Sequence, residues 1–168
     1  MDNMAKLTIN LKKLIFNTRS VRKLLNERNI SLMAVTKVVL GNMEVARALI
    51  SAGVKYIGDS RIINIKNMKI NGINAKFTLI RVPSLGEIPD VIRYADYSVN
   101  SEIETIKILS FEAKKQKKIH SIILMIDMGD LREGIDPSTV DMFVSKILKM
   151  ENIRLAGIGT NLKSIRFL

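Results

Sequence analysis

A chain of 168 residues, 47% hydrophobic and 26% charged, has the size and composition of one globular domain with a real core, which excludes an intrinsically disordered protein. Cysteine is absent, so disulfides, a thiolate nucleophile and cysteine-ligated zinc or iron–sulfur sites are excluded as well. The net charge of +11 invites a nucleic-acid partner, yet the basic residues are spread along helices (Lys12, Lys13, Arg19, Arg22, Lys23; Lys114, Lys115, Lys117, Lys118) with no interleaved aromatics to stack bases, so none is expected.

No apolar signal core precedes Lys6, and Asp2 is an early acid. Asn10 then caps a helix whose buried stripe is Leu11, Leu14, Ile15, Thr18, Val21, Leu24 and Leu25, and Ser31 to Val35 reads as a buried strand. Asn42 caps a helix through Ala52, Gly53 ends it, and Val54 to Gly58 is the next strand. A helix from about Ser60 to Lys69 stops at Gly72, and Ala75 to Val82 reads as the third strand.

Pro83 and Ser84 turn the chain into a short helix beginning near Leu85 to Pro89, since proline is tolerated only in a first turn. Asp96 to Val99 is the fourth strand, and Ser101 with Glu104 predicts a capping box for a helix reaching Gln116. Ile119 to Asp127 is the fifth strand. Its apolar stretch, Ile122 to Ile126, falls far short of the roughly 20 residues a membrane-crossing helix needs. A cytoplasmic protein with no membrane partner is therefore expected. Asp136 caps a helix with Pro137 at its first position and Val140, Phe143, Val144, Ile147 and Leu148 on its buried face, and Arg154 to Ile158 is the sixth strand.

Alternation of strand and helix is the signature of a parallel sheet, because parallel strands need a crossover. The period fits either an open doubly wound sheet or a (β/α)8 barrel. Neither a GxGxxG nor a GxxxxGK[ST] loop follows any strand, which weakens the open-sheet alternative.

In such folds the reactive groups stand at strand ends, and Lys37 follows the short apolar strand Leu32-Met33-Ala34-Val35. An amine against an apolar wall suits Schiff-base chemistry; equally, a lysine at a strand end can simply snorkel to solvent. The lone histidine, His120, follows Lys117 and Lys118 and is expected at the solvated rim without a catalytic role, and no metal site is expected.

Four segments, LMAVTKVVLGN, VARALISAGVKYIGDSR, MIDMGDLREGI and LAGIGTNL, resemble in order and spacing the amino-terminal barrel domain of pyridoxal-phosphate-dependent amino acid racemases, with the alanine/ornithine group closest. The resemblance runs from about Lys6 to Leu162. It implies an α/β fold of the (β/α)8 TIM-barrel type, incomplete, with roughly six βα units against about eight in a full barrel. It also divides the chain into a partial barrel domain, 1–162, and a divergent tail, 163–168, with the family's C-terminal β domain absent. The abrupt change of character in Lys163 to Leu168 suggests a truncated or frame-shifted form.

The same resemblance implies pyridoxal 5'-phosphate as cofactor and an amino acid as substrate. Lys37 matches the lysine that forms the Schiff base and serves as one of two acid–base groups in α-proton abstraction. Arg132 matches the arginine that approaches the cofactor's phenolic oxygen; without the resemblance it would read as a loop residue paired with Asp130 or Glu133. Asn161 falls where many alanine racemases place a histidine over the ring, a departure that points toward the ornithine-like branch. Asp59, Ser60, Arg61 and Arg81 are expected at the catalytic rim, where Ser60, Arg61 and Arg81 are weaker candidates for binding substrate, surface pairing being the alternative.

The family's second base is a tyrosine from the later domain, and none of Tyr56, Tyr94 and Tyr97 matches it. Family members form homodimers, and an incomplete barrel is expected to self-associate through its unpaired edge. The racemase, or its amino-terminal part, is the leading reading. The alternatives are a pyridoxal-phosphate-binding homeostasis-type protein without racemase activity, and an inactive fragment that completes its sheet with another polypeptide.

Overall fold

The computed structural model describes residues 7–162, so the segment 163–168, expected to be a divergent tail, lies outside the described residues. Helices and strands alternate as α1 (Leu11–Asn26), β1 (Met33–Val35), α2 (Met43–Ser51), β2 (Tyr56–Asp59), α3 (Ile62–Ile70), β3 (Lys76–Leu79), α4 (Ile88–Tyr94), β4 (Tyr97–Asn100), α5 (Ile103–Lys115), β5 (His120–Ile126), α6 (Val140–Ile147) and β6 (Ile153–Thr160).

The six strands form one sheet in the order β1-β2-β3-β4-β5-β6, and every neighbouring pair is parallel. A doubly wound sheet reverses strand order at a switch point. Here each strand lies beside its predecessor, which is the winding of a barrel, and this settles the choice that periodicity left open. The sheet is an open barrel-type α/β sheet, with β1 at one edge and β6 at the other among the described residues.

Alternation along the strands gives the sheet two different faces. Ile57, Phe77, Leu79, Ile122 and Leu124 point to the helices and are buried with Ala46, Leu49, Ile65, Met68, Val91, Ile106, Leu109 and Ile147 in one core. Met33, Tyr56, Thr78, Tyr97, Ile123 and Gly157 line the opposite, concave face. A shift of register between Ile122 and Ile123 in the β5–β6 pairing places Gly157 opposite Ile123.

Several expectations need correction. The first five strands are offset or shorter than expected, most clearly β3, where Pro83 and the turn before it take Arg81 and Val82 out of the sheet, whereas β6 is longer at both ends. Ser101 and Glu104 do not cap α5; that helix starts at Ile103 after Glu102, whose carboxylate accepts the Thr105 hydroxyl at 2.9 Å. The Glu that reaches back over a helix start is Glu87, which accepts from the Ser84 backbone N–H at 3.2 Å and from the Ser84 hydroxyl at 2.7 Å. On α1, Val21 and Leu24 are exposed, since that helix packs on α2 through Leu11, Leu14 and Thr18 rather than along the whole stripe.

His120 is not at the solvated rim. It is 3% exposed, and its Nε2 lies 2.9 Å from the Ser98 hydroxyl. The preceding lysines mark the end of α5, but β5 is flanked by both β4 and β6, so its first residue is already interior. Among the described residues, no helix is long and apolar enough to cross a membrane, and no group of three His, Asp or Glu residues could hold a metal ion.

Candidate active site

Because all six strands are parallel, their C-terminal ends share one rim. Lys37 stands there, directly after β1, in a single 3-10 turn spanning Lys37–Val39. Leu40 and Gly41 follow with φ of +51° and +65°, and the Gly41 N–H donates to the Thr36 carbonyl at 3.2 Å. The reversal brings Gly41 against α3, where an added Cβ would lie 2.9 Å from Asn64 Cβ. Asn42 then caps α2, accepting from the N–H groups of Glu44 and Val45 at 3.0 and 3.1 Å.

Beneath this turn lies a buried polar network. The Thr36 hydroxyl donates to Asp59 Oδ2 at 2.8 Å, while Asp59 Oδ1 accepts from the Arg61 backbone N–H at 2.9 Å and from Asn64 Nδ2 at 3.0 Å. Thr36 and Asp59 are fully buried and Asn64 nearly so. A carboxylate out of water needs such donors. These three side chains therefore lock the exit of β1, the exit of β2 and the start of α3 to one another. Of the three, sequence reasoning found only Asp59; the polar Thr36 beside Lys37 was a signal, but Asn64 inside α3 carried none.

Lys37 itself is exposed, and its Nζ has no ion pair or hydrogen bond among the described residues. Its apolar surroundings are partial, since Val35 and Val38 are 46% and 80% exposed. Arg132 is carried by the loop after β5. Asp127 Oδ1 accepts from the N–H groups of Gly129 and Leu131, at 2.9 and 3.2 Å, and so shapes that loop. The loop returns to the sheet at Ile135, which donates to the Met125 carbonyl and accepts from the Asp127 N–H. Gly134 passes so close that an added Cβ would lie 2.3 Å from Asp127 N. Arg132 meets only the exposed carboxylate of Glu133, at 3.8 Å.

Arg81 is heavily engaged by the protein. Its Nε donates to the Ser60 carbonyl at 2.6 Å, Nη1 to the Val82 carbonyl at 3.1 Å, and Nη2 to both Glu87 oxygens at 2.6 Å. Burial works to raise the Glu87 carboxyl, but hydrogen bonds from Ser84 and Arg81 outweigh it and hold Glu87 below its ordinary value. Arg81 thus ties the exits of β2 and β3 together. The Ser60 side chain is half-buried at the rim, Arg61 is exposed, and Asn161 is half-buried just beyond β6.

Residues 9–166 match the family model described as the alanine racemase N-terminal domain. The chain belongs to that family. It is similar to the ornithine racemase of Acetoanaerobium sticklandii, at 40% identity over 94% of this chain and 44% of that protein. The lysine racemase of Thermotoga maritima is 36% identical over 93% of this chain and 43% of that protein. Among solved structures, the alanine racemase of Clostridium difficile 630 superposes with a TM-score of 0.84 at 25% identity, covering 95% of this chain and 44% of that one. This member of the family thus spans under half the length of these relatives.

Proposed function

We propose that this chain supplies the lysine-bearing part of a pyridoxal-phosphate-dependent racemase of basic amino acids. The observation that carries the reading is the Lys37 turn. It offers an amine without a partner among the described residues, at the C-terminal end of the first strand of a barrel-type sheet, on a turn anchored by Thr36, Asp59 and Asn64.

The residues at hand fit the cofactor. Lys37 offers an amine without a partner among the described residues, and at the same rim the Arg132 guanidinium is bound only to one exposed carboxylate. When bound, pyridoxal phosphate supplies an electron sink that acidifies the α-carbon of an attached amino acid. Lys37 would hold it through its amine and then hold or move the proton at the α-carbon. Arg132 would offset the negative charge of the phenolic oxygen with charged donors.

A basic substrate is supported by the ornithine and lysine racemases among the relatives, together with Asn161 in place of the histidine typical of alanine enzymes. Racemisation needs a second base facing the first. Tyr56 and Tyr97 begin their strands, at the end of the sheet opposite Lys37, and Tyr94 lies under the Lys66 ammonium, 5.2 Å from its ring centre. We therefore assign the second base to the length of the relatives that this chain does not match. The homodimer and the cytoplasmic setting implied by the family are part of the same proposal.

The test is visible-region circular dichroism during titration with pyridoxal phosphate, for the parent chain and Lys37→Ala. A saturable induced signal, lost in the variant, supports the assignment of Lys37, and proton exchange at the α-carbon of ornithine in heavy water then tests the chemistry. An equal signal in both chains, or none in either, overturns it.

A further inference from the structure

At the opposite end of the sheet from Lys37, the N-terminal ends of β3 to β6 surround a cleft lined by Lys69, Lys76, Arg93, Lys118, Arg154 and His120, with Asp96 as its carboxylate. Asp96 is already committed. Its Oδ1 meets Lys76 at 3.1 Å, and its Oδ2 accepts from the Phe77 N–H at 2.9 Å and lies 3.9 Å from Lys69. Three cations are left without a carboxylate among the described residues. Lys118 donates to the carbonyls of Ile92 and Arg93 at 2.9 and 3.0 Å, which uses two of its three N–H donors. Arg154 bonds only the Ser121 hydroxyl, through Nε at 3.1 Å and Nη2 at 2.7 Å, and Arg93 is exposed with no partner.

A further donor comes from His120. Asn100 Nδ2 donates to the Ser98 carbonyl at 3.1 Å and to Ser98 Oγ at 3.0 Å, and the buried Ser98 hydroxyl has no acceptor for its own hydrogen among the described residues other than His120 Nε2. The imidazole proton then sits on Nδ1, which has no hydrogen-bond partner among the described residues. Burial pushes the His120 pKa down to about 4, against the pull of Asp96, so at neutral pH the ring is an uncharged donor. The cations also crowd one another: burial first, and then Lys69 and Arg93, hold the Lys118 amine below its ordinary value.

We propose that this basal cleft is a binding site for a small polyvalent phosphate anion of the pyrophosphate class. Lys118, Arg93 and Arg154 supply its charge pairing and His120 Nδ1 a neutral donor. The site is separate from the Lys37 rim and does not depend on its chemistry. A single phosphate dianion would leave part of the cationic excess unmatched, whereas two linked phosphates carry charge enough for Lys118, Arg93 and Arg154 together.

His120 is the only histidine in the chain, so its imidazole resonances report on this cleft without assignment. The test is NMR titration of the full chain with pyrophosphate at low ionic strength, with sodium chloride of equal ionic strength as control. Expected is a saturable shift of the His120 signals that persists in Lys37→Ala and in the charge control Lys12→Ala/Lys13→Ala. In Lys118→Gln/Arg154→Gln the apparent Kd should weaken at least tenfold while the far-ultraviolet spectrum is unchanged. No shift in the parent chain, a shift reproduced by sodium chloride, or equal affinity in the folded double variant overturns the proposal. Should that variant fail to fold, Arg93→Gln, on the exposed lip, takes its place with the same expectation.

Discussion

The Thr36 hydroxyl donates to Asp59 Oδ2 across 2.8 Å, joining the residue before Lys37 to the last residue of the neighbouring strand. The bond fixes where the Lys37 turn leaves the sheet. Thr36→Val keeps the shape and removes the donor, stranding one oxygen of a buried carboxylate. An unsatisfied buried acceptor costs about 1–3 kcal/mol. Chemical denaturation should show a loss in that range, together with a weaker Lys37-dependent cofactor signal, and Thr36→Ser should restore both in large part.

Gly134→Ala addresses Arg132 in the same way. The new Cβ would meet the backbone of Ile126 and Asp127, which cannot move aside as a flexible side chain would. The loop return at Ile135 should shift, and with it the Asp127 turn that carries Arg132. We expect a stability loss of about 1–3 kcal/mol and a weakening of cofactor binding that exceeds the effect of Arg132→Ala alone. Equal cofactor affinity in Gly134→Ala and the parent would separate the loop from the cofactor.

What was legible in the sequence follows from how local each signal is. Asn42, and Asp136 before Pro137, cap through bonds to residues two or three positions on, so the motif contains its own partner. Ser101 and Glu104 have the same spacing, but the chain begins α5 a residue later than the box requires, at Ile103. Strand order was not readable from the period, because both windings repeat strand and helix alike; the pairing of each strand with its successor decided it. Lys37 was visible as a lysine closing an apolar strand. Asn64 was not, since its role is a contact to Asp59 that only the docking of α3 on β2 creates. His120 was misjudged for the same reason: the lysines before it are local, whereas its burial comes from strands on both sides.

The buried, neutral His120 makes stability depend on pH with a definite sign. Its pKa is lowered from 6.5 to about 4 on folding, so below 6.5 the unfolded chain takes up a proton that the folded chain refuses. Stability is unaffected by this group above that value and falls as pH drops from 6.5 toward 4, by up to about 3 kcal/mol in total. Urea denaturation at pH 7 and pH 5 should show the decline, and His120→Gln should flatten it. Carboxylates such as Glu87, held below their ordinary values, add their own loss as pH falls below about 4.5, outside the comparison of pH 7 with pH 5. A parent chain equally stable at pH 7 and pH 5 would contradict the buried neutral histidine.

At the other side of the sheet, β6 has a partner in β5 alone among the described residues, and Ile158 near its end is 61% exposed. A strand edge with free N–H and C=O groups beside an exposed apolar side chain is a template for pairing with another chain. The concave face adds to this, because Met33, Tyr56, Tyr97 and Ile123 line it without a covering layer of helices. Sedimentation velocity over a range of concentrations should therefore show association of the 168-residue chain. Ile158→Lys puts a charge on the edge while leaving the core side of β5 untouched, and should shift the distribution toward monomer. A parent chain that stays monomeric across the range would mean that the edge is protected by its own backbone geometry, and the variant would then have nothing to change.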